Sequence, residues 1–462
     1  MESEHGMHLR GGQPDGVAGP KALFLFTGEG AHSAQTDLVS LRDSPNWSKV
    51  AGAVQQAGLD ELDGLLSDGL GSHAAPRSPV ITTVVNLLNY GHWHDRGWQP
   101  DLTLGHSVGE VAAACAAGRL SIAEAIKAAD VLGRAGAMLS GAMAHATMPL
   151  ALVGGWTDGG GLCIAAINGA QSSEGAEAML SITLCGQSHS QVDEWVAAHH
   201  GAKRLTPPHP WHHPGYLDVE AIKDGTALAG LPVCRTCSAE SAEVGVVFLS
   251  ATRGAASSCD KSSRPVAPTA PLDAAHWRRW LSSPVYFHAA LEDAASLIGL
   301  AGCYTIEMGA HPALSGVAAA TLARCGVAVV ASASSMRRGQ PDGFLQSETS
   351  KLQSKLSELS RAAGVKAGSK AALSSDAVLA AVLQCVVEST STLHGADPAS
   401  VDANAALMDL GIDSDEVKPA AARDRTRQAS HGGPRRAQPS PGGAQCVQPM
   451  RMLAPLRPLT VP

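Results

Sequence analysis

Ser107, in Gly105-His106-Ser107-Val108-Gly109, is the residue of this 462-residue chain best placed for covalent chemistry. A short apolar run (Leu102, Leu104) precedes the pentapeptide and a run of small residues, Val111 to Ala117, follows it, so the segment reads as strand, sharp turn and helix. Such a turn exposes the serine hydroxyl at its tip and aims the helix N-terminus at a developing oxyanion, while flanking glycines let the backbones approach closely. G-x-S-x-G in that context is a nucleophile elbow. With 49 glycines in the chain the five residues alone match easily, so the surrounding elements must supply the base and the oxyanion donors. For the base, Pro208-His209-Pro210-Trp211-His212-His213-Pro214 offers three histidines among prolines, which taken alone read either as metal ligands or as solvated loop side chains.

The elements that must position these groups follow from periodicity and punctuation. Ala22 to Phe26 is an apolar run ending in Thr27-Gly28-Glu29-Gly30, a first strand feeding a glycine turn whose backbone N–H can serve as a second oxyanion donor. Leu38 to Leu70 has helical spacing, Val80 to Trp93 reads as a buried helix, and Pro100 starts the strand into the elbow. Ser121 with Glu124 forms a capping box that opens a helix through Met138. Gly141 to Pro149, Cys163 to Ile167 and Ile182 to Cys185 read as strands and Val192 to Ala198 as a helix, which gives a small α/β subdomain at about 141–206. Beyond it come a strand at Val246 to Leu249, a loop at Ser257 to Pro271, an apolar run from Tyr304 to Met308, and an amphipathic helix from Leu345 to Leu359.

Composition narrows the class. A 45% hydrophobic content and this length leave room for two or three domains with a sizeable core. No run is apolar enough to span a bilayer, and residues 1–20 are polar, Gly/Pro-rich and expected to be disordered, so a soluble cytoplasmic protein without a membrane partner is expected. A formal charge of -8, with no basic and aromatic clustering before the tail, argues against nucleic acid. Cys115, Cys163, Cys303 and Cys385 sit in apolar runs, as small buried residues do in a reducing compartment. Cys234-x-x-Cys237 has ligand-like spacing but no second pair nearby, so no metal is expected.

Eight landmarks in order resemble one family. Phe26 to Gly30, Gly105 to Glu110, Gly141-Ala142-Met143-Ala144, Ile167-Asn168-Gly169, His209 to His212, Trp277 to Phe287, Glu307 to Pro312 and Met336-Arg337-Arg338-Gly339 resemble acyltransferase domains. These are the malonyl-CoA:acyl carrier protein transacylases and the acyltransferase domains of polyketide and fatty-acid synthases, and the resemblance covers about 21–360. It implies an α/β fold: a hydrolase-like core with a parallel sheet and the elbow, plus a small inserted ferredoxin-like subdomain. It also implies Ser107 as nucleophile and His212 as general base, which reverses the bland reading of the histidine loop. Backbone N–H groups of Val108 and Glu29 would form the oxyanion hole, and Arg134, Trp211, His209 and Asn168 would bind substrate. The substrate implied is malonyl-CoA or acetyl-CoA, and the acceptor is the 4′-phosphopantetheine thiol of an acyl carrier protein.

Three positions depart from the family pattern. Glu29 stands where Gln is usual, Ser78-Pro79 where Gln-Pro is usual, and the arginine that pairs with a malonyl carboxylate falls by count on Leu132. Arg134 lies two residues on, about 200° around a helix. Val108 and Trp211 resemble malonyl-selecting members and oppose an α-methyl branch; the displaced arginine favours a small neutral acyl group such as acetyl.

Near the C-terminus a second resemblance begins. After a linker at 361–372, apolar residues from Val378 to Val387 form one helical face, and Asp397 to Asp402 with Asp409 to Ser414 resemble part of an acyl carrier domain at 373–418, a short helical fragment. Ser414 would there carry 4′-phosphopantetheine. The apolar helix required after it is replaced by Asp415-Glu416-Val417-Lys418-Pro419 and a Pro/Gly/Arg-rich tail, 419–462, expected to be disordered, so the fragment reads as a truncated remnant. Two other functions share these features: a serine hydrolase of esters or thioesters, and a non-catalytic docking module.

Overall fold

The first strand, β1 (Lys21–Phe26), is buried almost throughout because its alternate side chains enter two different cores. Phe24 and Phe26 join one with Ile306 and Met308; Leu23 and Leu25 join the other with Leu102 and Leu104. The structure is a computed structural model that describes residues 20–149, 161–170, 179–232, 246–252, 271–340 and 344–362. All of these fall within one unit, Met1–Glu416.

The parallel sheet has the order β7-β2-β1-β8-β9, formed by β2 (Leu102–Gly105), β7 (Val247–Leu249), β8 (Cys303–Met308) and β9 (Val329–Ser334) around β1. Helices cover both faces, the arrangement that makes parallel strands read as continuous apolar runs. On one face lie α1 (Leu38–Arg42), α2 (Trp47–Gln56), α3 (Leu62–Gly69), α4 (Arg77–Asp95), α5 (Gly109–Ala116) and α6 (Ile122–Gly136). The expected helical stretch from Leu38 to Leu70 is three helices, broken at Pro45 and at Gly58, whose φ is +72°. α4 matches the expected buried helix, and its polar Asn86 and Asn89 donate to the carbonyls of Thr27 and Gly309, two turns at the ends of β1 and β8. The capping box of α6 is formed on both sides, Ser121 Oγ receiving the Glu124 N–H and the Glu124 carboxylate receiving the Ser121 N–H.

The second sheet is antiparallel, with order β4-β5-β3-β6, from β3 (Ala142–Pro149), β4 (Leu162–Ala170), β5 (Met179–Gly186) and β6 (Lys203–Arg204). Helix α7 (His189–Ala198) packs Val192 and Trp195 against Ala144, Ile182 and Leu184. After α8 (Glu220–Lys223), the other face of the parallel sheet is closed by α10 (Phe287–Ile298) and α11 (Ser315–Arg324), while α9 (Ala274–Ser282) and α12 (Phe344–Ala362) add to the first core. The Ile167 N–H and the Val285 N–H bond across to Val285 and Ala165, tying β4 to the entry of α10. Among the described residues no helix is long and apolar enough to cross a membrane. Cys234 and Cys237, most of the loop expected at Ser257 to Pro271, the carrier-like stretch with Ser414, and the tail lie outside the described residues.

Candidate active site

β2 delivers the chain to the elbow and α5 takes it away. The turn is tight: a Cβ on Gly105 would lie 2.2 Å from the Glu110 nitrogen, and one on Gly109 would lie 2.2 Å from the Phe26 carbonyl oxygen. Opposite, a Cβ on Gly28 would come within 3.1 Å of the Ser107 Cβ, so the Thr27 to Gly30 turn abuts the serine. Ser107 (φ +52°) and His212 (φ +61°) are the two non-glycine residues with left-handed backbone among the described residues. Such a conformation costs about 1–3 kcal/mol each and persists only where surrounding contacts enforce it.

Ser107 Oγ and His212 Nε2 are 2.8 Å apart. His212 Nδ1 lies 2.6 Å from the Trp280 carbonyl oxygen, which can only accept, so the proton sits on Nδ1 and the lone pair of Nε2 faces the serine hydroxyl. Burial pushes the His212 pKa down to about 3, which keeps the imidazole neutral near pH 7. Trp280 also donates its indole N–H to the Ser107 carbonyl at 3.1 Å, so one residue of α9 holds both partners. A backbone carbonyl thus stands where many serine hydrolases place a carboxylate.

The remaining expected residues separate. Asn168 reaches the elbow from β4: its Oδ1 is 2.7 Å from His106 Nε2 and its amide donates to Ser181 Oγ, so it braces the residue before the nucleophile. Trp211 is buried at the edge of Trp280 and against Tyr216, in space that Gly136 leaves open, since a Cβ there would meet its ring at 1.9 Å. His209, expected to bind substrate, has both nitrogens engaged: Nε2 accepts the Ala75 N–H and Nδ1 donates to the Leu139 carbonyl, so they fasten the loop. Arg134, also expected to bind substrate, lies on α6. Its side chain is 52% exposed and ion-paired at 2.6 Å with Asp130 one turn back, while Leu132 is fully buried.

Glu29 turns inward. The residue is half-buried, but its Oε1 is sealed from water and lacks a hydrogen-bond partner among the described residues, as do Ser78 Oγ and Trp211 Nε1. Ser78 and Trp211 lie beside the carboxyl and partly offset the cost of burial, which still pushes its pKa up to about 8. Glu110, by contrast, receives Ser250 Oγ at 2.6 Å, Thr252 Oγ1 at 3.0 Å and His276 Nε2 at 2.9 Å, locking the start of α5 to the segment after β7 and to α9. Sequence reasoning assigned no role to Trp280 or to this network. Among the described residues no cluster of three or more His, Cys, Asp or Glu is arranged to hold a metal.

Residues 24–169 match the family described as "Acyl transferase domain". The chain is 28% identical over 375 residues to polyketide synthase GfsA of Streptomyces halstedii, covering 74% of this chain and 4% of that one. It is 27% identical over 331 residues to a phenolphthiocerol/phthiocerol polyketide synthase of Mycobacterium tuberculosis, covering 69% and 20%. The chain therefore spans a fifth or less of the length of these relatives. In fold it is similar to the acyltransferase domain from module 8 of the salinomycin polyketide synthase, with TM-score 0.57 and 24% identity over 76% of this chain and 79% of that one. It is also similar to the malonyl-CoA:ACP transacylase of Synechocystis sp. PCC 6803, with TM-score 0.52 and 17% identity over 71% and 99%.

Proposed function

We propose that this chain, whose residues 24–169 match the acyl transferase family and which is similar to polyketide synthases, moves a short acyl group from CoA to the phosphopantetheine thiol of an acyl carrier protein. The observation that carries this reading is the 2.8 Å contact between Ser107 Oγ and the unprotonated Nε2 of His212. As Oγ attacks the thioester carbonyl, His212 takes its proton and returns it to the departing CoA thiolate; in the second half the carrier thiol gives its proton to His212 and takes the acyl group, and His212 passes that proton to the departing Ser107 oxygen. The N–H groups of Val108 and Glu29 receive the oxyanion, a role supported by the close approach of Gly28 to Ser107.

The acyl group we assign is small and uncharged, acetyl ahead of malonyl. A Glu29 carboxyl that burial keeps protonated near pH 7, with Arg134 outside and paired to Asp130, gives a malonate carboxylate no bidentate cation. The acyltransferase extends over 21–360; the strand order and directions of the second sheet support a ferredoxin-like subdomain within it. The acceptor is the phosphopantetheine thiol of an acyl carrier protein, and the role is a cytoplasmic one without a metal.

Incubation with acetyl-, malonyl- and methylmalonyl-CoA, followed by intact mass and peptide mapping, tests this. The expected result is an acetyl adduct on Ser107 that passes to a carrier protein. Ser107→Ala and His212→Ala should each lose roughly a thousandfold or more in loading. Faster malonyl than acetyl loading overturns the acyl class, release as free acid indicates a hydrolase, and no adduct overturns catalysis altogether.

A further inference from the structure

Cys163 on β4 and Cys185 on β5 stand directly opposite each other in an antiparallel pair, with their sulfurs 3.3 Å apart. Opposed residues of such a pair have Cα atoms about 4.5–5.5 Å apart, inside the range a disulfide spans without backbone movement. Both are free thiols. We propose that this pair is a redox-active dithiol that a hydroperoxide converts to a disulfide, and that the oxidation slows the chemistry at Ser107.

The two thiols are unequal in the way such a reaction requires. Cys163 is half-buried, within reach of a small oxidant, and Cys185 is buried. A hydrogen bond from Cys185, then one from His213, lowers the Cys163 pKa, while burial raises that of Cys185. The Cys163 thiolate is therefore the attacking group. Its sulfur attacks the terminal peroxide oxygen, the O–O bond breaks, and the leaving alkoxide takes a proton to become an alcohol. The Cys185 sulfur then attacks the resulting Cys163 sulfenic acid, the S–S bond forms, the S–O bond breaks, and water leaves. The dithiol has given two electrons and two protons to the hydroperoxide, which ends as one alcohol and one water. Cys115 and Cys303 lack this activation, since burial pushes both up to about 12.

The link to the site is His213, the neighbour of His212. Its Nδ1 accepts the Gly215 N–H, which leaves the Nε2 proton for Cys163. Converting the Cys163 thiolate to a disulfide sulfur weakens that bond, and with it a tie on the loop that holds His212 in its left-handed conformation. The same strand leads from Cys163 to Asn168, the brace of His106.

The test uses the full chain, hydrogen peroxide near pH 7, and peptide mapping under non-reducing conditions. A cross-linked Cys163–Cys185 peptide pair should accumulate at least about ten times faster than oxidation of Cys115 or Cys303. Dithiothreitol should remove it. Loading of Ser107 should fall with the cross-link and return on reduction, and Cys163→Ser should keep its loading rate in peroxide. In Cys185→Ser, a 1,3-dione reagent should trap Cys163 as the sulfenic acid. Slow or absent cross-linking in the wild-type chain overturns the dithiol; a complete cross-link with unchanged loading overturns the coupling. The cross-link is read without any acyl donor, so this result stands apart from the assignment of acyl transfer.

Discussion

Two carboxyl groups sit on the two segments that meet at Ser107, Glu29 in the turn after β1 and Glu110 at the start of α5, and the protein treats them in opposite ways. Glu110, three residues after the serine, is met by Ser250, Thr252 and His276, so its charge and hydrogen-bonding capacity are used inside the fold. Glu29, beside Gly28, has an oxygen that no described residue satisfies and stands against Trp211 at the edge of the site. A fully partnered buried carboxyl is architecture, whereas one with an unsatisfied oxygen adjoining a nucleophile is a constraint on what binds there.

The largest expected effect breaks the partnered side. Glu110→Ala leaves the His276, Ser250 and Thr252 donors unpaired in the interior and should cost about 3–5 kcal/mol in denaturant unfolding. A loss under about 1 kcal/mol would erase the contrast between the two groups.

Next comes the pH dependence of Glu29. Its folded pKa of about 8 lies above the ordinary value of 4.5, so its contribution to stability is intact below about pH 4.5 and is lost as pH rises through 8. Glu29→Gln should therefore be neutral at pH 4 and more stable than wild type by roughly 2–4 kcal/mol at pH 8. Equal stability of the two proteins at both pH values would mean that Glu29 is solvated after all.

Above pH 8, where the wild-type Glu29 carboxyl has lost its proton, the same substitution should raise malonyl loading relative to acetyl by about tenfold, because a like charge leaves the pocket. An unchanged ratio would place the specificity elsewhere. Smallest of all, Arg134→Ala should cost about 0–1 kcal/mol and leave acyl preference untouched, since the arginine is exposed and Lys127, 3.7 Å from the buried Asp130, remains as the aspartate's partner. A large loss of malonyl loading in that variant would return Arg134 to the pocket.

The parts of this architecture legible in the sequence are those written in local pattern. The elbow needs glycine at two close approaches, α6 announces itself by Ser121 and Glu124, and α4 by its unbroken apolar run. The orienting group of His212 was illegible because it is the main-chain carbonyl of Trp280, which any residue type supplies. His209 was illegible for a related reason: its partners, the Ala75 N–H and the Leu139 carbonyl, are main-chain groups distant in the sequence. The departure at Glu29 was visible as a residue type, but the direction in which it turns depends on Ser78 and Trp211, both distant in the chain.

The register of the central strand sets the order in which the chain can be built. Lys21 pairs with Cys303 and Phe26 with Met308, so one flank of β1 stays bare until almost three hundred further residues have left the ribosome. At roughly 5–20 residues per second, that is an interval of tens of seconds. During it Leu23 and Leu25 await their covering helices α10 and α11, and the nascent chain exposes an apolar strand edge that a holding chaperone would need to shield.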